Sequence, residues 1–345
     1  MRGLRGSLLK AACSRLSSNS LLIGTCVALL LATGSTATTQ ITNQSKPPVP
    51  GTLIDVGGYR VHLYCIGEGS PTVMIVGAAF SFDWGLVQPE VAKWTRVCTF
   101  DPSGNAWSDP FQTPTLIPPS QNSNQTPIEK TTPTCTDRVD EIHRLLTKMP
   151  IHGPYVLVGF SVGALWERIY AARYPDNIAG MIIVDHAFLP DLGKSAPPHV
   201  SPSQGSSHRY SPPVLLSEAP IVMGFEDDSN FSRLPARDQE LHMWALSQHP
   251  VRPGPEMAAD CFALISEVTG ERRYPLGDMP LWVINTSNES QDYRALQRKL
   301  LALSRTSKQI IAWHSSHMVP IDEPDLITRA IREAVERERR ILEKP

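Results

Sequence analysis

No HExxH sequence and no CxxC pair occurs in this chain, so two common signatures of a zinc site are missing. Its ten histidines are scattered outside metal-ligand spacings. Charge of one sign is also missing: 32 Lys and Arg stand against 34 Asp and Glu, leaving a net charge of -2 at pH 7. Without a basic stripe there is no electrostatic footprint for nucleic acid or for an anionic membrane surface. No internal repeat is apparent. The uncharged apolar run Leu21–Ala32 is about a dozen residues, short of the roughly twenty that a bilayer span requires. The chain is therefore expected to need no metal and no cofactor, to bind no nucleic acid, and to act on a small, roughly neutral molecule.

What is present is a chain of 345 residues, 41% of them hydrophobic. That is enough for one large α/β domain with an insertion, or for two ordinary domains. Residues 1–39 read as a separate unit. Arg2, Arg5, Lys10 and Arg15 make a positive leader, the apolar run follows, and Gly34, Ser35 and Ala37 supply small residues for a signal peptidase. Cleavage near Ala37 is expected, with an uncleaved membrane anchor as the alternative. Residues 40–52 are polar and proline-containing, as in a linker. Beyond the leader four cysteines remain, Cys65, Cys98, Cys135 and Cys261. They permit two disulfides in three connectivities, which agrees with export to an oxidising compartment. Buried free thiols would look the same in sequence. Asn43, Asn124 and Asn230 begin sequons.

Short β-rich runs appear at Leu53–Val56, Arg60–Cys65, Thr72–Val76 and Arg96–Phe100, with Gly57 and Gly58 suiting a tight hairpin between the first two. Phe111–Thr134, rich in Pro, Thr, Asn and Gln, reads as a surface loop. Then the period alternates. A helix over Asp137–Lys148 precedes a strand at Tyr155–Gly159, a helix over Val162–Arg173 precedes a strand at Gly180–Asp185. Such alternation predicts a parallel sheet covered on both faces. About ninety residues interrupt it, with helical stretches at Ala236–Gln248 and Pro255–Thr269. It resumes with a strand at Pro280–Asn285, a helix around Tyr293–Leu303, a strand at Gln309–Trp313 and a charged helix from Pro324 towards Leu342. The core is therefore expected over 53–188 and 279–345, and an inserted helical cap over 189–278.

Gly159-Phe160-Ser161-Val162-Gly163 lies between a strand and a helix, the context of a nucleophile elbow. The glycines suit a strained, crowded turn that lifts Ser161 above the sheet edge. The helix behind it favours negative charge developing nearby. A serine hydroxyl needs an adjacent base. His317, in a loop just past the last strand, would reach the same edge, whereas His314 sits at the strand end. The acid that orients the base is left between Asp185, which ends the strand Met181–Val184, and Glu289, which follows Leu281–Asn285; Asp292 lies slightly beyond. A turn or cap carboxylate would equally explain Asp185, and a solvated loop charge Glu289.

From Asp55 to about Ile331 the chain resembles the α/β-hydrolase-1 family. The matching stretches run from Asp55 to Cys65, through Phe100-Asp101 and Trp107–Pro110, the elbow, Tyr170–Pro175, and Ser316-His317 with Glu323-Pro324. The resemblance implies an α/β-hydrolase fold: eight mostly parallel strands, helices on both faces, and a cap inserted after strand six. It implies oxyanion donors in the backbone N–H groups of Ala78 and Val162. Here the chain departs from the family, since Val76-Gly77-Ala78-Ala79-Phe80 lacks the usual His-Gly pair; Pro102 and Asn105 are also unusual. The family fold makes the strands of Cys65 and Cys98 neighbours and so predicts a disulfide between them. Cys135 and Cys261 could form a second bridge, tying the cap to the core.

Together these readings predict an exported hydrolase, secreted, periplasmic or anchored by its leader. It would cleave a carboxylic ester or related acyl bond of a small, partly apolar substrate through Ser161, His317 and Asp185. Phe225, Phe231, Met243, Trp244 and Phe262 would offer apolar surface in the cap, unless they are the cap's own core. The alternative is a catalytically silent binding or accessory protein that keeps the fold, favoured by the atypical segment after Gly77. The oligomeric state leaves no trace in the sequence.

Overall fold

The computed structural model describes residues 46–77, 80–112, 132–186, 230–248, 250–251, 255–270, 272–287 and 291–343. The leader, Cys13, Cys26, Asn43, Asn124 and Phe225 lie outside the described residues. Eight strands form one sheet among the described residues: β1 Thr52–Asp55, β2 Arg60–Ile66, β3 Thr72–Val76, β4 Val97–Asp101, β5 Tyr155–Phe160, β6 Ile178–Val184, β7 Leu281–Thr286 and β8 Ser307–Ala312. Their spatial order is β1-β2-β4-β3-β5-β6-β7-β8. β1 and β2 form an antiparallel hairpin, β2 runs antiparallel to β4, and every later pairing is parallel. At the hairpin turn Gly57 and Gly58 have φ of 109° and 102°, and both N–H groups donate to Asp55 Oδ1 at 2.8 and 3.0 Å. This is the fold that the alternating periods predict.

The helices are α1 Gln88–Ala92, α2 Cys135–Lys148, α3 Gly163–Arg173, α4 Ala236–Ser247, α5 Pro255–Thr269, α6 Gln291–Leu300, α7 Val319–Asp322 and α8 Pro324–Leu342. Successive residues of a strand point to opposite faces, and the core divides accordingly. Met74, Leu157, Met181, Ile183 and Val283 pack with α2, α3 and α5. Val73, Ile75, Val156, Val158, Ile182, Val184 and Ile284 pack with α1 and α8 on the other face. Both faces are covered, so the central strands are buried throughout and, apart from Thr72 at the start of β3, carry no polar-type residue but the Tyr155 phenol.

α2 begins where Thr134 and Asp137 exchange side-chain-to-backbone hydrogen bonds, at 3.1 and 2.8 Å, a capping box that satisfies two otherwise orphaned donors. The described part of the interruption goes to two places. α5 packs on α2 and α3, contributing Met257, Cys261 and Ile265 to their cluster. It is joined to α2 by the Cys135–Cys261 disulfide and by Asp260, whose carboxylate accepts the Cys135 N–H at 2.8 Å. α4 instead packs elsewhere, with Leu241, Trp244 and Ala245 against Phe80, Phe82 and Trp107. Cys65 and Cys98 face each other across β2 and β4 and are also disulfide-bonded.

Candidate active site

β5 ends at Phe160 and α3 begins at Gly163, so Ser161 and Val162 must make the whole turn. Ser161 has φ 55°, a left-handed conformation that costs a non-glycine residue on the order of 1–3 kcal/mol. The turn is held by two backbone bonds. The Ser161 N–H donates to Val184 O on β6, and Ser161 O accepts from Ala164, both at 3.1 Å. A Cβ on Gly163 would lie 2.0 Å from the carbonyl oxygen of Val76, and one on Gly159 would lie 2.3 Å from Glu167 Cδ. Only glycine at both positions lets β5, β3 and α3 approach this closely. Val162, the N-cap of α3, keeps its N–H outside the helical ladder.

His317 stands in the turn between β8 and α7. Its Nε2 lies 3.1 Å from Ser161 Oγ and its Nδ1 2.5 Å from Asp185 Oδ2. Asp185 follows β6 and is fully buried; its N–H donates to Ile284 O at 2.8 Å, and its Oδ1 accepts the Thr286 N–H at 3.4 Å. A carboxylate can only accept, so Nδ1 carries the imidazole proton and the Nε2 lone pair faces the serine hydroxyl. The Phe160 ring packs 5.0 Å from the imidazole. His317 is about one-third exposed, with 35% of its side chain open to solvent, while Asp185 is sealed behind it.

The His317 turn is fastened by Asp322. Its Oδ2 accepts Ser316 N–H at 2.7 Å, Ser316 Oγ at 2.6 Å and Ser315 Oγ at 3.2 Å. Its Oδ1 accepts the Asn230 amide at 2.6 Å, and Arg233 donates to the Asp322 carbonyl at 2.7 Å. The segment after β3 is fastened by two other carboxylates. Phe80 N–H donates to Asp83 Oδ2 at 2.8 Å, and Asp83 Oδ1 lies 2.7 Å from His242 Nδ1 on α4. Ser81 N–H and Oγ donate to Asp101, at 2.8 and 3.1 Å. Asp101 also faces His62 Nδ1 at 2.7 Å, both side chains fully buried. Burial pushes the Asp83 carboxyl above its usual range, against the pull of His242. Asp238, near it on α4, is pushed up to about 6 by burial and then by the Asp83 charge.

Behind the elbow, Glu167 fills the space that a Gly159 side chain would need. Burial holds its carboxyl well above the ordinary 4.5, with the Arg168 charge opposing. The Arg168 guanidinium is itself lowered to about 10 by burial, and its Nη1 lies 2.8 Å from His186 Nε2.

The structure thus brings Ser161, His317 and Asp185 together. His314 is exposed, its backbone N–H bound to Glu323 at 2.8 Å. Ala78, Glu289 and the side chain of Asp292 lie outside the described residues. Trp244 is sealed in the aromatic cluster with Phe80, Phe82 and Trp107. Phe231 and Phe262 pack on the two main clusters, and Met243 is 50% exposed. Sequence reasoning assigned no role to Asp83, Asp101, His242, Asp322 or Glu167. The one local hint was Asp83, three residues after Phe80, where an acidic side chain suits a helical first turn. His242 sits 159 positions from its partner, and no local pattern announces such a pair.

Residues 76–297 match the family model described as alpha/beta hydrolase fold. Among solved structures, the thermophilic esterase of Thermogutta terrifontis is similar at a TM-score of 0.55 and 18% identity, covering 83% of this chain and 98% of that one. The CarC serine hydrolase involved in carbazole degradation is similar at 0.52 and 14%, covering 82% and 97%. The epoxide hydrolase CorEH is similar at 0.51 and 16%, covering 82% and 96%. Identities this low speak for the fold alone. An uncharacterised protein of Schizosaccharomyces pombe is 26% identical over 178 residues, 42% of this chain and 30% of that protein. The uncharacterised protein YqjL of Bacillus subtilis is 24% identical over 204 residues, 57% and 63%. The matched region spans less than two thirds of either relative.

Proposed function

This chain belongs to the α/β-hydrolase fold family, and we propose that it is an exported serine hydrolase cleaving a carboxylic ester or related acyl bond of a small, partly apolar substrate. The observation that carries this reading is the relay Ser161 Oγ, His317 Nε2, His317 Nδ1, Asp185 Oδ2, with contacts of 3.1 and 2.5 Å. In this reading His317 takes the Ser161 proton as Oγ attacks the carbonyl carbon. Asp185 holds the ring in the tautomer that can accept and offsets the charge of the imidazolium that forms. The negative charge moves to the substrate oxygen, where the N–H groups of Val162 and Ala78 are the proposed donors, one such donor being worth roughly 3 kcal/mol. Collapse expels the alcohol, which takes its proton from His317. Water, activated by the same base, then frees the acyl group.

Nucleophile type narrows the chemistry within the fold. Epoxide opening and dehalogenation on this scaffold normally use a carboxylate nucleophile, and a serine at the elbow disfavours both. Amide, thioester or C–C cleavage would use the same groups; an ester asks less of the site than an amide, whose amine is the poorer leaving group. Export is supported by the two disulfides, which persist in oxidising compartments, and by the leader-like residues 1–39. No helix among the described residues is long and apolar enough to cross a membrane.

Hydrolysis of a p-nitrophenyl ester series from acetate to octanoate, with wild type and Ser161→Ala, tests the reading. Turnover is expected in wild type, with quenched samples showing the acyl mass on the chain, and neither in the variant. Tight binding of the esters with no turnover and no acyl adduct would favour the silent binding protein instead.

A further inference from the structure

Arg168 carries a charge that no described carboxylate answers. Its one hydrogen bond among the described residues goes to His186 Nε2, at 2.8 Å. A guanidinium can only donate, so this ring nitrogen accepts and the imidazole brings no negative charge. Arg168 Nε is sealed from solvent and has no acceptor among the described residues. Glu167, its neighbour in the chain, does not serve. That carboxyl is turned into the elbow against Gly159, and burial keeps its proton on well above the ordinary carboxylate range. Lowered to about 10, the guanidinium still holds its charge at neutral pH. A cation drawn out of water without an anion is costly, and a buried donor without a partner calls for an explanation.

The group stands at the edge of the sheet where the relay is. His186 directly follows Asp185, the carboxylate beside His317, just after β6 ends at Val184. Asp185 has φ 35°, so the chain bends there and the two side chains part: Asp185 meets His317, and His186 meets Arg168. Arg168 lies on α3 about two turns after Ser161, and helical side chains lean back towards the N-terminus. Its contact with His186 shows that this one does. The guanidinium therefore comes up from α3 towards the edge that carries Ser161. The residue is only partly buried, so it is not walled off from a ligand. The Phe262 ring packs 6.0 Å from His186 and puts apolar surface beside the cation.

We propose that Arg168, braced by His186, binds a free carboxylate of the substrate, so that the ester cleaved at Ser161 is one that also carries a carboxylate. The inference rests on the serine-hydrolase reading above and deepens it by naming the substrate class. One guanidinium beside a neutral imidazole matches one negative charge, which favours a carboxylate over a phosphate monoester. The carboxylate supplies the counter-ion that the chain withholds and takes no part in the reaction. The ester carbonyl is attacked at Ser161 and the alcohol leaves, whichever side of the ester bears the charge. Because hydrogen bonds to a guanidinium are short and directional, the pair selects the spacing between carboxylate and ester as well as the charge.

The experiment follows hydrolysis by pH-stat for two series. One bears the carboxylate on the acyl side: the monoethyl esters of succinate, glutarate and adipate. The other bears it on the alcohol side: the butyryl esters of glycolate and 3-hydroxypropanoate. Each compound is paired with the same ester whose carboxylate is replaced by a primary amide. The readout is the ratio of kcat/KM within a pair, for wild type, Arg168→Met and Arg168→Gln. In wild type at least one carboxylate ester is expected to exceed its amide by about 10- to 100-fold, the worth of a charge-assisted hydrogen bond. In both variants that ratio should fall to about one, through a higher KM for the carboxylate ester.

A wild-type ratio near one in every pair overturns the proposal, whether or not the variants fold. So does a ratio that survives in Arg168→Met or Arg168→Gln while both members of the pair slow together, since that is a structural loss. If wild type turns over nothing and does not react with a fluorophosphonate, the serine-hydrolase reading fails separately. Calorimetric titration with glutarate and adipate, against their diamides, then decides the subsite. Binding of the dicarboxylates that Arg168→Met loses supports it, and no binding, or binding that Arg168→Met keeps, overturns it.

Discussion

The turn at Ser161 and the segment around Phe80 serve the same edge of the sheet, yet they are held by opposite means. The elbow is fixed by backbone: two glycines that admit close approach, two main-chain hydrogen bonds, and a helix that starts at once. Phe80 and Ser81 are held by two carboxylates, Asp83 and Asp101, each in turn hydrogen-bonded to a histidine from a more distant element, His242 and His62. A feature written in local sterics tolerates almost no substitution but depends on few distant residues. One written in buried side-chain hydrogen bonds depends on residues as far as 159 positions away.

The sharpest way to break this contrast is at Ser161, the proposed nucleophile. Ser161→Ala should lower turnover by about 10⁴-fold or more while leaving thermal unfolding nearly unchanged; appreciable residual ester hydrolysis in a purified sample would place the chemistry elsewhere. Asp185→Asn should follow, with kcat reduced by up to about 10⁴-fold, because the amide offers the imidazole the wrong tautomer. Near-normal kcat in that variant would return the acid's role to Glu289 or Asp292.

Most of the scaffold was legible because strand alternation and helical spacing are local patterns. Val156 and Val158 face one cluster and Leu157 the other, as a strand buried on both faces requires. The elbow was legible for the same reason, its glycines and serine being adjacent in sequence. α1 and α7, of five and four residues, were too short for periodicity to register. Among the candidate acids, Asp185 could not be separated from Glu289 by sequence, since both follow a strand and only the register of β6 and β7 decides which carboxylate reaches His317. His62, Asp101, Asp83 and His242 looked like ordinary polar residues. Their burial is a property of the assembled chain.

Stability measurements sharpen the same comparison. Gly163→Ala puts a methyl 2.0 Å from the Val76 carbonyl oxygen and should cost about 3 kcal/mol or more in denaturant unfolding, at the upper end for overpacking. Asp322→Ala removes the acceptor for the Ser315, Ser316 and Asn230 donors and should cost about 1–3 kcal/mol. A larger loss from Asp322 than from Gly163 would reverse the proposed order of local over long-range constraint.

The smallest effect is a slope. Glu167 holds its proton well above the ordinary 4.5 when folded, mainly through burial. Above that pH the unfolded chain gives the proton up while the folded chain keeps it, so this group's contribution falls as pH rises towards its folded value. Denaturant midpoints taken at intervals from pH 5 to pH 8 should decline more steeply in wild type than in Glu167→Gln. Parallel profiles would mean that Glu167 ionises alike in both states.

The central claim is that Ser161 is activated by His317. Reaction with a fluorophosphonate followed by peptide mass mapping tests it most directly. One adduct per chain is expected, on the peptide containing Ser161, with the labelling rate falling by orders of magnitude in His317→Ala although Ser161 remains. Labelling at another residue, or an unchanged rate without the imidazole, would contradict the account.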